Sequence, residues 1–82
     1  GVQTYALPIF YPQPAADQLM IASASVVDYT EVLDLTGRVL LQQEGTNEKQ
    51  VVLHLGGLLA GTYFVRINTE AGNFVKKVLK GN

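Results

Sequence analysis

Leu55-Gly56-Gly57-Leu58-Leu59-Ala60-Gly61-Thr62-Tyr63-Phe64-Val65-Arg66-Ile67-Asn68-Thr69-Glu70-Ala71-Gly72-Asn73-Phe74-Val75-Lys76-Lys77-Val78-Leu79-Lys80 decides how the rest of the chain is read. It opens on the end of one strand and bends at its glycines. From Thr62 to Thr69, β-branched and aromatic residues dominate, and Tyr63, Val65 and Ile67 alternate with Phe64, Arg66 and Asn68. A period of two places the first three on one face of a pleated strand. Ala71-Gly72-Asn73 reads as a three-residue reversal that tolerates φ > 0, and a basic strand returns from it. In that last strand Phe74 and Val78 alternate against Val75 and Leu79, so both faces are apolar, and a bulge near Lys76-Lys77 would reconcile them.

The upstream residues supply partners for this hairpin. Tyr5 to Phe10 forms a short first strand, and Pro8, which cannot donate to a ladder, sends it to a sheet edge. Pro12 and Pro14 make a stiff corner, each pushing the residue before it into extended geometry. Gln18 to Ser23 follows, with Leu19 and Ile21 sharing a face. Tyr29 to Asp34 is the third strand, whose face is ambiguous because Val32 and Leu33 are both apolar. Thr36-Gly37 reverses the chain into Val39 to Gln43, and a polar loop over 45–48 leads to Gln50–Leu55. There Val51, Leu53 and Leu55 point inward, with Val52 and His54 outward. Seven short strands without a helical window predict an all-β fold, a small immunoglobulin-like antiparallel β-sandwich, with a small barrel as the alternative.

Composition sets the bounds. Eighty-two residues with 48% hydrophobic content make one domain with one core. A chain of this length buries only roughly 60–65% of its unfolded surface, so its stability is modest. Charged residues are sparse at 16%, and the net charge of −1 gives no footprint for nucleic acid. The charge is nonetheless uneven. Residues 1–72 hold three cations against seven acids, whereas 73–82 hold Lys76, Lys77 and Lys80 and no acid. Without cysteine there is neither a disulfide nor a thiolate site, and no apolar run is long enough for a membrane-spanning helix. No signal peptide is read in the sequence, and the leading Gly1 leads to the expectation of one domain of something longer, with 1–7 expected as a linker remnant and 8–82 as the domain.

The residues offer little chemistry. His54 is the only histidine, on an outward strand face, which is too little for zinc. Ser23 and Ser25 lack a histidine partner or a nucleophile elbow. Asp28, Glu31 and Asp34 lack the spacing of a calcium loop and read as a solvated face. Gly56, Gly57 and Gly61 are not followed by the helix and lysine of a phosphate cradle; they allow tight bends around Leu58. No catalytic residue, metal or cofactor is expected. Leu58-x-x-Gly61-x-Tyr63 has the order of a tyrosine corner, with Tyr63 in the core and its hydroxyl tied to nearby backbone. The lysines of a terminal edge strand serve first as a guard against sheet-to-sheet aggregation.

Four blocks in order shift that last reading. Pro12-x-Pro14-Ala15-x-Asp17-x-Leu19-x-Ile21 comes first, and Val32-Leu33-Asp34-Leu35-Thr36-Gly37-Arg38-Val39 second. Leu55-x-x-Leu58-x-Ala60-Gly61-Thr62-Tyr63-Phe64-Val65-Arg66 and Lys76-Lys77-Val78-Leu79-Lys80 complete the series. Together, over 9–80, they resemble the C-terminal sorting domain of type IX secretion system cargo from Bacteroidetes. That family usually opens on Tyr-Pro-Asn-Pro; here Gln13 stands in the place of the Asn. The resemblance implies a non-catalytic β-sandwich that directs an attached cargo to the cell surface. In that family the outer-membrane translocon recognises the domain after passage through the periplasm, and a cell-surface sortase cuts before it, here in or before residues 1–7. The residues carried over by position are Pro12, Pro14, Asp34, Gly37, Gly61, Tyr63, Lys76, Lys77 and Lys80. The last hairpin is expected to present a basic strand and an open sheet edge to the receptor, and a homodimer through the terminal strands is a further possibility.

The competing reading is an accessory module of a secreted enzyme, a fibronectin-III-like spacer or a carbohydrate-binding domain. Leu58 to Val65 fits the former almost as well. The latter needs an aromatic platform, for which only Tyr11, Tyr29 and Phe64 are candidates.

Overall fold

The computed structural model describes residues 7–81, and all of their regular structure is β. The strands are β1 (Ile9–Tyr11), β2 (Gln18–Ala22), β3 (Val27–Leu33), β4 (Val39–Glu44), β5 (Gln50–His54), β6 (Gly61–Thr69) and β7 (Gly72–Lys80). They form a three-stranded sheet in the order β1-β2-β5 and a four-stranded sheet in the order β4-β3-β6-β7, with every strand pair antiparallel. This is a small β-sandwich. Of the expected first strand Tyr5–Phe10, Leu7 and Pro8 are not strand and β1 runs on to Tyr11; the part before Leu7 lies outside the described residues, as does most of the 1–7 linker.

Alternation accounts for the core. Leu19 and Ile21 from β2 and Val51, Leu53 and Leu55 from β5 and its end face Val65 and Ile67 of β6, Val32 of β3 and Val78 of β7. Fully burying a branched aliphatic side chain is worth about 1.5–3 kcal/mol, and this stack is what holds the two sheets face to face. The ambiguity in β3 resolves by face. Val32 joins the core, while Leu33, also buried, takes the opposite parity opposite Phe64. An irregularity between Val27 and Tyr29 lets Val27 reach the core from the other parity.

The last hairpin differs from expectation in two ways. Thr69 pairs with Gly72, so the loop is Glu70-Ala71 rather than Ala71-Gly72-Asn73, and of that trio Gly72 takes the positive φ, 125°. Thr69 Oγ1 accepts from the Ala71 N–H at 3.1 Å and donates to the Gly72 carbonyl at 3.0 Å, which tightens the reversal. Nor is there a bulge at Lys76-Lys77. Gly61–Thr69 pairs with Gly72–Lys80 without a slip. Phe74, Lys76, Val78 and Lys80 therefore share the core-side face, and Val75, Lys77 and Leu79 the outer one. Both faces are apolar because β7 is a sheet edge, where Val75 and Leu79 stay 60% and 50% exposed.

Candidate functional site: one locked pole and an open basic edge

The β5–β6 crossover carries the chain from one sheet to the other. Leu55 is buried, its N–H donates to the Asp17 carbonyl at 2.6 Å, and its carbonyl accepts from Leu58 at 2.9 Å. Leu58 packs on the core edge. Gly61 then opens β6, and the Tyr63 ring lies against the core while its hydroxyl donates to the Leu59 carbonyl at 2.5 Å. This is the tyrosine corner that the spacing predicts: a ring in the sandwich with its polar tip pinning the bend just upstream.

The register places Asp34 and Gly37 at the same end, since Leu33 pairs with Phe64. The Asp34 carboxylate accepts from the Thr36 hydroxyl at 2.6 Å, the Thr36 N–H at 2.9 Å and the Arg38 N–H at 3.0 Å. Gly37, at φ 90°, completes the reversal in a conformation that a β-carbon would oppose. The Thr36 hydroxyl, and then the Arg38 N–H, hold the Asp34 carboxyl below its ordinary 3.8.

Pro12 and Pro14 reach this end too. Both are exposed and both follow cis peptide bonds. Their corner delivers Ala15, wholly buried, against the end of β7. Ala15 and Lys80 form a parallel bridge in which Ala15 N–H donates to Leu79 at 2.8 Å and Gly81 N–H donates to Ala15 at 2.7 Å. Gln13, at the position where the family usually has Asn, accepts from the Leu79 N–H through Oε1 at 3.4 Å. So Pro12, Pro14, Asp34, Gly37, Gly61, Tyr63 and Lys80 gather at one pole, where turns and backbone hydrogen bonds tie the sheets together.

The three lysines separate. Lys80 lies on the core-side face at only 6% exposure, and its Nζ donates to the Gly81 carbonyl at 3.3 Å. Lys76 and Lys77 are exposed mid-strand on opposite faces of β7, and among the described residues neither takes part in an ion pair.

The three acids read as a solvated face divide as well. Asp34 serves its own turn, Asp28 is exposed, and Glu31 is buried at 7% exposure, which overturns the solvated reading for that residue. Glu31 Oε1 sits 3.4 Å from Arg66 Nη1 across the sheet, and Gln42 Nε2 donates to Oε2 at 3.4 Å. Strand order brings Gln42, Glu31 and Arg66 into one row, and nothing in the sequence signals that row before the register is known. The aromatic candidates form no single platform, because Tyr11 belongs to the three-stranded sheet and Tyr29 and Phe64 to the other. No helix among the described residues is long and apolar enough to cross a membrane.

Comparison with known proteins agrees with this geometry. No curated protein sequence is significantly similar to the chain. Among solved structures, one from Porphyromonas gingivalis, described as PorZ, an essential bacterial surface component of the type-IX secretion system, superposes with a TM-score of 0.69. It is 22% identical and covers 92% of this chain, which spans 11% of that protein and shares its fold over that part. The family described as "Secretion system C-terminal sorting domain" matches residues 9–81. Members of that family are in general non-catalytic and act as signals for secretion to the cell surface or beyond. The accessory-module alternative finds no support in that match. With nearly its whole length matched and its sandwich shared, this chain belongs to the secretion-system C-terminal sorting domains and is a type IX sorting signal.

Proposed function

We propose that the domain works by recognition alone, and that its two regions divide the labour. The locked pole, with Pro12, Pro14, Asp34, Gly37, Gly61, Tyr63 and Lys80, holds β7 in place at the sheet edge. Lys76 and Lys77 on that edge then meet the outer-membrane translocon as the cargo arrives from the periplasm. A cell-surface sortase cuts in or before residues 1–7, and 8–82 is the part recognised. The observation that carries this reading is the asymmetry among the lysines. Lys80 is buried in the pole, whereas Lys76 and Lys77 are exposed on the edge strand and have no ion-pair partner among the described residues.

The test is a fluorescent cargo carrying a signal peptide in front and this domain behind, expressed in a bacterium with the secretion system. The intact domain should send the cargo to the surface. Lys76→Ala with Lys77→Ala should leave it folded in the periplasm. Export of the double variant at the normal level would remove these lysines from recognition, and periplasmic retention with the intact domain would defeat the sorting pathway as a whole.

A further inference from the structure

Among the described residues, the edge of β7 is closed at one end and unpaired along the rest. Leu79 has both its N–H and its C=O directed away from β6, toward Gln13 and Ala15. In an antiparallel ladder these groups alternate in direction, so Asn73, Val75 and Lys77 also turn their N–H and C=O away from β6. Among the described residues, no strand of either sheet pairs with this side of β7. Beside it, a groove of about 140 Å³ runs between β7 and β1, lined by Leu7, Pro8, Phe10, Phe74, Val75 and Lys76.

Three occupants compete for this edge. A second copy pairing β7 against β7 antiparallel with Val75 opposite Lys77 would bring Lys76 of one chain directly against Lys76 of the other. Like charges directly opposite destabilise a strand pair, and edge lysines are a recognised guard against such pairing. An anionic glycan or phosphate would answer the charge but would leave the backbone groups and the apolar groove unused. An extended acidic peptide answers all three features.

Resting on the recognition role above, we propose that the open edge of β7 takes an extended segment of a partner protein by strand addition. In antiparallel register, the partner places acidic residues level with Lys77 and Lys76 and an apolar residue level with Phe74, above the groove. Backbone hydrogen bonds to Val75 and Lys77 supply affinity, and the acid-acid-x-apolar spacing supplies selectivity.

The probe is the acetylated and amidated peptide Thr-Glu-Glu-Thr-Val-Thr, titrated into the isotope-labelled domain and followed by amide NMR. Val75 and Lys77 amides should shift and gain exchange protection. The Lys-Lys version of the peptide should bind at least tenfold more weakly, as should the Glu-Glu peptide to a Lys76→Glu, Lys77→Glu domain. A peptide N-methylated at the amides facing β7 leaves the protein untouched and should lose binding altogether. Binding that survives N-methylation, or that shifts other amides instead, overturns strand addition in favour of a charge contact such as a glycan makes. No binding of the Glu-Glu peptide at millimolar concentration overturns it outright, and so does a concentration-dependent dimer with protected Val75 and Lys77. In the export assay a Val75→Pro domain, which deletes one outward N–H while keeping both lysines, should fail. Its export at the normal level overturns the strand-addition mode while leaving the role of the lysines intact.

Discussion

Ala15 and Leu79 lie at opposite ends of the chain and are joined backbone to backbone, with the Ala15 N–H donating to the Leu79 carbonyl at 2.8 Å. The bond links the corner that precedes β2 of one sheet to the last strand of the other. It closes the seam of the sandwich at one pole and ends the open edge of β7 where Lys80 begins.

Gln13 is the side-chain member of this clasp. Replacing it with Ala should free the Leu79 N–H, raise its hydrogen-exchange rate, and lower stability by about 0.5–1 kcal/mol. Ala15→Leu should cost more, about 1–3 kcal/mol, because Ala15 is wholly buried and a larger side chain forces the sheets apart. Urea unfolding of both variants checks the order.

Tyr63→Phe keeps the ring in the core and removes the hydroxyl bonded to Leu59. Stability should fall by about 1 kcal/mol in chemical denaturation. An unchanged midpoint would place the hydroxyl in solvent and leave the crossover without its pin.

Asp34 sets an acid limit. Its carboxyl is held below 3.8 by the Thr36 hydroxyl and the Arg38 N–H, so the unfolded chain takes up this proton at a higher pH than the folded one. The stabilisation is complete above the ordinary carboxylate range, roughly pH 4, and is lost as pH falls through the depressed folded value. Thermal melts between pH 5 and 2 should show a shallower acid decline for Asp34→Asn than for the parent.

Glu31 depends on Arg66. Arg66→Met should destabilise by about 1–3 kcal/mol, since it strands a carboxylate that is buried between Gln42 and the lost guanidinium. Adding Glu31→Gln should recover part of that loss, and a double-mutant cycle measures how much.

The lysines should divide in the same way. Lys80→Glu puts an acid where only 6% of the residue meets solvent, and the melting temperature should drop. Lys76→Glu and Lys77→Glu alter exposed positions and should change stability by no more than about 0.5 kcal/mol. A destabilised Lys76→Glu would mean that this lysine belongs to the packing.

The sequence by itself determined most of the architecture. Alternation in Val51–Leu55 and Tyr63–Ile67 settles the facing of those two strands because the pleat has a strict period of two, whereas the faces of β3 and β7 and the loop before Gly72 waited on the register. The ordered blocks pointed to the family that the match over residues 9–81 establishes, and the spacing to Tyr63 read the corner correctly. Strand order and register decided the rest, since they bring together residues that no local pattern connects. Glu31 becomes a buried partner of Arg66 only because β3 lies beside β6. Lys80 parts from Lys76 and Lys77 only because Ala15 folds over the end of β7. Three lysines so close in sequence carry no record of which of them the fold will bury. That depends on contacts between distant segments, and here those contacts separate a structural lysine from two exposed ones.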